Sequence, residues 1–178
     1  MQNKWTKVIS VTAGLAVVGF LAFLLDPDAT GHAAPLTAMA ARNSRVDLSL
    51  AQIGGGVWKS ADHRGQVILV NFWATWCPPC RMETPGLVRL ANEYRSKGVE
   101  IVGVAMDDDG SADTVTKFVR SYGIPYPILL PTDSLLSQID SLPTTFLMDR
   151  QGRIAKSYVG AISEATFRKD IDNLLQEP

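Results

Sequence analysis

A chain of 178 residues with 46% hydrophobic and 20% charged side chains holds the apolar material of one ordinary globular domain, and nothing in it suggests two. Its net charge is −1 with Lys and Arg spread along the chain, which leaves no basic footprint for nucleic acid. The only cysteines are Cys77 and Cys80, and the only histidines, His32 and His63, are far from them in sequence, which argues against a four-ligand structural zinc site.

Residues 8–25 form an uncharged, mostly apolar run of 18 residues. As a helix the run would extend about 27 Å at about 1.5 Å per residue, close to the depth of a bilayer core. Lys4 and Lys7 precede it, while Asp26 and Asp28 follow it. The positive-inside rule then predicts a single-pass anchor over residues 1–25 in the cytoplasmic (inner) membrane, with the rest on the periplasmic, extracytoplasmic side. The rival reading is a cleaved secretory signal, but its best small-residue site, Ala38-Met39-Ala40, lies well past the run. In both readings the remainder is exported. Residues 26–45, with Pro27, Gly31 and Pro35, keep neither a helical nor an alternating pattern and read as a flexible tether to a domain over 46–178.

Residues 46–50 alternate, Gly54-Gly55-Gly56 marks a turn, and Val57-Trp58 begins another extended piece, which predicts a small β-hairpin. No Gly-Lys-Ser/Thr follows the glycines at phosphate-loop spacing. Residues 67–74 are apolar, β-branched and aromatic, apolar enough for a strand buried on both faces. Trp76-Cys77-Pro78-Pro79-Cys80 comes next, and Leu87, Leu90, Ala91 and Tyr94 recur at helical spacing up to Lys97, with Gly98 as the stop. Pro78 and Pro79 are tolerated in the first turn, whose N–H groups lack intrahelical partners. Cys77 is thereby set at a helix N-terminus, where partial positive charge favours a thiolate. A disulfide closing so short a loop removes little chain entropy, so stabilisation is a poor reason for the pair. A redox-active dithiol with Cys77 as the attacking sulfur is a better one.

Residues 99–105 read as a second buried strand, and Asp107-Asp108-Asp109 as a solvated turn rather than a metal site. Residues 111–122 read as a helix with Val115, Phe118, Val119 and Tyr122 on one face. Residues 144–149 and 153–159 form a hairpin around Arg150-Gln151-Gly152, and Ser163 caps a last helix carrying Phe167, Ile171, Leu174 and Leu175. Strands alternating with helices predict an α/β domain with parallel pairing. Trp73 reads as core, Trp76 as rim and His63 as loop surface.

The segment Asn71-Phe72-Trp73-Ala74-Thr75-Trp76-Cys77-Pro78-Pro79-Cys80-Arg81-Met82-Glu83-Thr84-Pro85 resembles the active-site segment of the thioredoxin superfamily, and of its TlpA/ResA-like, membrane-tethered branch in particular. Pro85 is similar to the proline that kinks the first helix of thioredoxins, and residues 142–149 look like the family's cis-proline segment and following strand. The resemblance runs from about residue 46 to the C-terminus. It implies a thioredoxin-like α/β fold with an N-terminal β-hairpin and a central strand-helix insertion, residues 126–130 and 133–139. It implies a thiol:disulfide oxidoreductase with no metal and no cofactor beyond the Cys77–Cys80 redox-active disulfide. Trp76, Pro78, Pro79, Leu142 and Pro143 would meet substrate, with Pro143 cis and facing the dithiol.

Thioredoxins carry a buried Asp where this chain has Asn71, which cannot ionise, so another group must handle the proton of Cys80. Glu83 lies three residues after Cys80, on the same helical face, and matches the branch's active-site glutamate. It is the expected acid/base, with a pKa raised by partial burial. Members of the branch are mostly reductases of exported clients, notably apocytochrome c and the cysteine ligands of copper-centre proteins, supplied by an integral-membrane thiol electron donor. Extracytoplasmic disulfide reduction is therefore the expected function. A general disulfide oxidase or isomerase is the alternative, and a Cu(I)-binding or partner-docking module is an alternative of another class.

Overall fold

The computed structural model describes residues 32–33, 42, 45–108 and 111–178. Residues 8–25, read as a membrane anchor, lie outside these, and among the described residues no helix is long and apolar enough to cross a membrane. The elements in chain order are β1 (His32–Ala33), β2 (Ser49–Ala51), β3 (Val57–Lys59), β4 (Val67–Trp73), α1 (Pro78–Tyr94), β5 (Val99–Ala105), α2 (Ala112–Tyr122), β6 (Ile128–Leu129), α3 (Asp133–Leu136), β7 (Thr144–Met148), β8 (Ile154–Val159) and α4 (Glu164–Leu175).

One sheet has the order β1-β8-β7-β4-β5-β6. Its β4-β5 and β5-β6 pairs are parallel, and β4-β7, β7-β8 and β1-β8 are antiparallel. Every residue of β4 is buried, as its unbroken apolar run requires of a strand covered on both faces. Successive side chains point to opposite faces. Val67, Leu69 and Trp73 pack with Leu87, Leu90 and Tyr94 of α1, Phe118 of α2 and Phe167 and Ile171 of α4. Ile68, Val70 and Phe72 pack on the other face with Leu50 and Trp58 of the β2-β3 hairpin and with Leu129. Asn71 has the helix-facing parity and is the one polar residue of the strand. Gly103 of β5 makes room for Trp73: a Cβ there would lie 2.7 Å from the indole nitrogen.

The hairpin is hooked to the sheet edge by Ile53 N–H donating to the Ile128 carbonyl and Leu130 N–H to the Ala51 carbonyl, both at 2.8 Å. The inserted strand and helix are present but shorter than expected. Only Ile128 and Leu129 pair, at the edge of the sheet, and the helix is the single turn Asp133–Leu136. The prolines at 125, 127 and 131 have no N–H to give to a ladder, which confines the pairing between them. α1 ends at Tyr94 and tightens into the 3-10 turn Arg95–Lys97, which Gly98 closes at φ 83°, and Ser163 Oγ accepts from Thr166 N–H at 3.2 Å to cap α4.

Two expectations change. The stretch 26–45 is not a free tether at its described positions: His32 and Ala33 pair with Val159 and Tyr158, and Arg42 is buried against Asp149 at 2.9 Å and both carboxylate oxygens of Glu177 at 2.7 Å. A buried guanidinium so paired belongs to the fold. His63 is not loop surface either. It is half-buried, stacked on Trp58 with ring centroids 5.2 Å apart and hydrogen-bonded to Gln66 Oε1 at 3.0 Å.

Candidate active site

Cys77 occupies the capping position of α1, with extended backbone (φ −85°, ψ 108°), and its Sγ accepts from the Cys80 N–H at 3.3 Å. Its sulfur therefore sits on the unpaired N–H groups and positive dipole end of a 17-residue helix. The two sulfurs are joined at 2.02 Å, with Cα atoms 5.3 Å apart. In this disulfide form both residues are buried, at 3% for Cys77 and 2% for Cys80, because the bond folds them together under the first turn. What separates them is their surroundings. Cys77 lines a cleft of about 490 Å³ with Trp76, Pro78, Pro79, Met106 and Leu142, and Cys80 does not. The expected substrate residues Trp76, Pro78, Pro79 and Leu142 are thus brought to one cleft with Cys77. Trp76 is 65% exposed on its rim, and Trp73 is buried. The Leu142–Pro143 peptide bond is cis, and Pro143 does not itself line the cleft.

The loop that presents Cys77 is held from β5. Met106 N–H donates to the Trp73 carbonyl at 2.7 Å, and the Asp107 carboxylate accepts from Thr75 N–H at 3.1 and 3.2 Å and from the Thr75 hydroxyl. Asp107 is therefore not part of a solvated turn, because both donors of Thr75 need an acceptor where the chain leaves the sheet. Among the described residues no group of His, Cys, Asp or Glu gathers into a metal set.

Glu83 is buried. Its Oε1 accepts from Asn71 Nδ2 at 2.9 Å and its Oε2 from the Ile162 N–H at 2.8 Å, while Asn71 Nδ2 also donates to Thr145 Oγ1 at 2.9 Å. Burial pushes the Glu83 carboxyl up from 4.5 to about 7, against the Ile162 and Asn71 hydrogen bonds, which pull it down. Burial, with the Glu83 charge, also holds the Tyr126 phenol well above its ordinary range. A carboxyl that is half ionised near neutral pH can take and return a proton. The spacing to Cys80 pointed to Glu83 but not to its partners. Asn71 carried a signal, a lone amide inside an apolar strand. Ile162 carried none, since the fold supplies its N–H from 79 residues away.

The Redoxin family model matches residues 29–175. The chain is 31% identical over 141 residues to the thiol-disulfide oxidoreductase ResA of Geobacillus thermodenitrificans (strain NG80-2), covering 78% of this chain and 80% of the relative. With ResA of Halalkalibacterium halodurans it shares 36% identity over 124 residues, covering 67% and 68%. The crystal structure of a thiol:disulfide interchange protein of the thioredoxin family from Chlorobium tepidum TLS is similar at a TM-score of 0.69 and 32% identity, over 78% of this chain and 99% of that one. The chain belongs to the Redoxin family, as a ResA-like thiol-disulfide oxidoreductase of thioredoxin-like α/β fold whose Cys-Pro-Pro-Cys cysteines, Cys77 and Cys80, are joined in a disulfide.

Proposed function

We propose that the protein is an extracytoplasmic disulfide reductase, tethered to the cytoplasmic membrane through residues 8–25 and acting on particular exported clients, with apocytochrome c and copper-centre proteins as the client classes. The observation that carries this reading is the cleft beside Cys77, backed by a buried Glu83 poised near neutrality. A client segment lies against Trp76 and Leu142, and the Cys77 thiolate attacks one client sulfur. The client disulfide breaks, one client thiolate leaves, and a mixed disulfide remains on Cys77. Glu83 takes the proton of Cys80, whose thiolate attacks Cys77 Sγ. The mixed disulfide breaks, the second client thiolate leaves and is protonated, and the Cys77–Cys80 disulfide re-forms. Two electrons have passed to the client, and an integral-membrane dithiol restores them.

The direction is supported by the reductases of the TlpA/ResA-like branch that the active-site segment resembles. Its test is the reduction potential of Cys77–Cys80, measured by equilibration against graded thiol couples and paired with turnover on disulfide-bonded insulin. A potential well below that of glutathione is expected. One well above it, with no reduction of insulin, would make the protein an oxidase.

A further inference from the structure

A carboxyl that exchanges a proton presents two different hydrogen-bonding faces in turn. Ionised Glu83 only accepts, and both groups that meet it, Asn71 Nδ2 and the Ile162 N–H, are donors. Protonated Glu83 must also donate, and the Ile162 N–H has nothing with which to accept. Asn71 is the partner that can answer both states, because one side of its amide donates and the other accepts. Thr145 sits directly across the β4-β7 pairing from Asn71, and its hydroxyl can serve as acceptor or donor at the same contact. An Asp at position 71 would place a second carboxylate against the first, and an apolar residue would leave the proton of Glu83 without an acceptor.

We propose that Asn71 is the positioning residue for Glu83, turning its amide as Glu83 gains or loses the proton while the Thr145 hydroxyl reverses its own hydrogen bond. With Glu83 ionised, Nδ2 donates to Glu83 Oε1 and to Thr145 Oγ1, as in the structure. With Glu83 protonated, Oδ1 accepts from the Glu83 hydroxyl and from the Thr145 hydroxyl. The contacts of the amide with Glu83 and with Thr145 are both kept through the turn, so neither of these two side chains loses its partner as the carboxyl changes state. The charged and titratable surroundings leave this role to the amide. From α1 comes Cys80, held in the disulfide; from the segment before β6 comes Tyr126, whose phenol stays neutral; β7 and the segment before α4 bring only the Thr145 hydroxyl and the Ile162 N–H.

The functional value of this coupling rests on Glu83 being the acid/base, but its test does not. The protonation midpoint of the Glu83 carboxyl is followed by carbon-13 NMR in the oxidised protein and in Asn71→Leu. The substitution deletes the amide hydrogen bond in both protonation states, and only the surplus strength of the bond to the charged form is lost to the titration, so the midpoint should rise by less than about one pH unit, under a tenfold gain in proton affinity; an amide that only donates would give about one to two units. Should Asn71→Leu not fold, neutron structures of the parent below and above the midpoint read the amide directly and should find it reversed. A rise well above one pH unit in a folded Asn71→Leu, or one amide orientation in both neutron structures, overturns the proposal. A Glu83→Gln protein whose turnover keeps the parent's pH profile would instead remove Glu83 from the chemistry, a failure that the carboxyl titration reads separately.

Discussion

Replacing Glu83 by Gln tests the central electrostatic claim through stability alone. The carboxyl goes from 4.5 when exposed to about 7 in the fold, and at 1.36 kcal/mol per pH unit the difference is roughly 3 kcal/mol. Below the exposed value the group is neutral in both the folded and the unfolded chain and changes nothing. As pH rises, the unfolded chain releases its proton first, so stability falls between about 4.5 and about 7 and then levels off. Gln cannot ionise; its carbonyl oxygen can take the Ile162 N–H and its amide N–H can meet the oxygen of the turned Asn71 side chain, the pairing proposed for the protonated carboxyl, so its stability does not follow this titration. Glu83→Gln should therefore lie close to the parent in acid and be the more stable protein by roughly 3 kcal/mol above pH ~8. Urea unfolding of both oxidised proteins across this range, followed by tryptophan fluorescence, measures the gap. Groups shared by the two proteins cancel. One of them is Asp149, which burial would raise but which the Arg153 N–H and the Arg42 and Arg153 guanidinium groups hold below its ordinary value. Its stabilisation is lost in both proteins alike as pH falls through that lowered value. Parallel curves, with no change in the gap from acid to alkali, would falsify the claim that Glu83 is protonated near neutrality.

Cys80→Ser should leave the attack by Cys77 intact but stop the exchange halfway, accumulating a mixed disulfide visible as a mass adduct, whereas Cys77→Ser should form none; equal trapping by both would reverse the assigned roles. Asp107→Ala frees both donors of Thr75, so client reduction should slow by about tenfold or more while the overall fold persists; an unchanged rate would show that the loop needs no hold from β5. Gly103→Ala puts a methyl 2.7 Å from the Trp73 indole nitrogen and 3.1 Å from Ile128 Cδ1, and should destabilise by about 1–3 kcal/mol. A denaturation midpoint equal to the parent's would mean that the indole moves aside freely.

The elements that could be read from residue order are those whose signal is local. The all-apolar run of β4, the helical spacing of Leu87, Leu90 and Tyr94, the stop at Gly98 and the cap at Ser163 each depend on neighbours within a turn or two. The positions of Cys77 and Glu83 could be read for the same reason, one at the N-cap and the other in the second turn of a single helix. Contacts made across the fold were not. The Ile162 N–H on Glu83, the Asp107 carboxylate on Thr75 and the Arg42 pairing with Asp149 and Glu177 join residues that become neighbours only after the sheet is assembled. Their side chains look the same in sequence whether they face solvent or the core. The run of three aspartates therefore looked like an ordinary surface loop, and residues 26–45, without periodicity, looked unattached.

The pairing of β1 with β8 determines how long a leash the domain has. His32 aligns with Val159, Val159 with Thr144, and Thr144 with Phe72, next to the end of β4 from which the dithiol loop springs. The chain thus joins the sheet level with its reactive end, and only six residues, 26–31, lie between position 25 and position 32, at most about 25 Å of extended backbone. With residues 8–25 in the bilayer, as proposed, Cys77 is kept close over the lipid surface, where a donor embedded in the membrane can meet it without a long excursion by either protein.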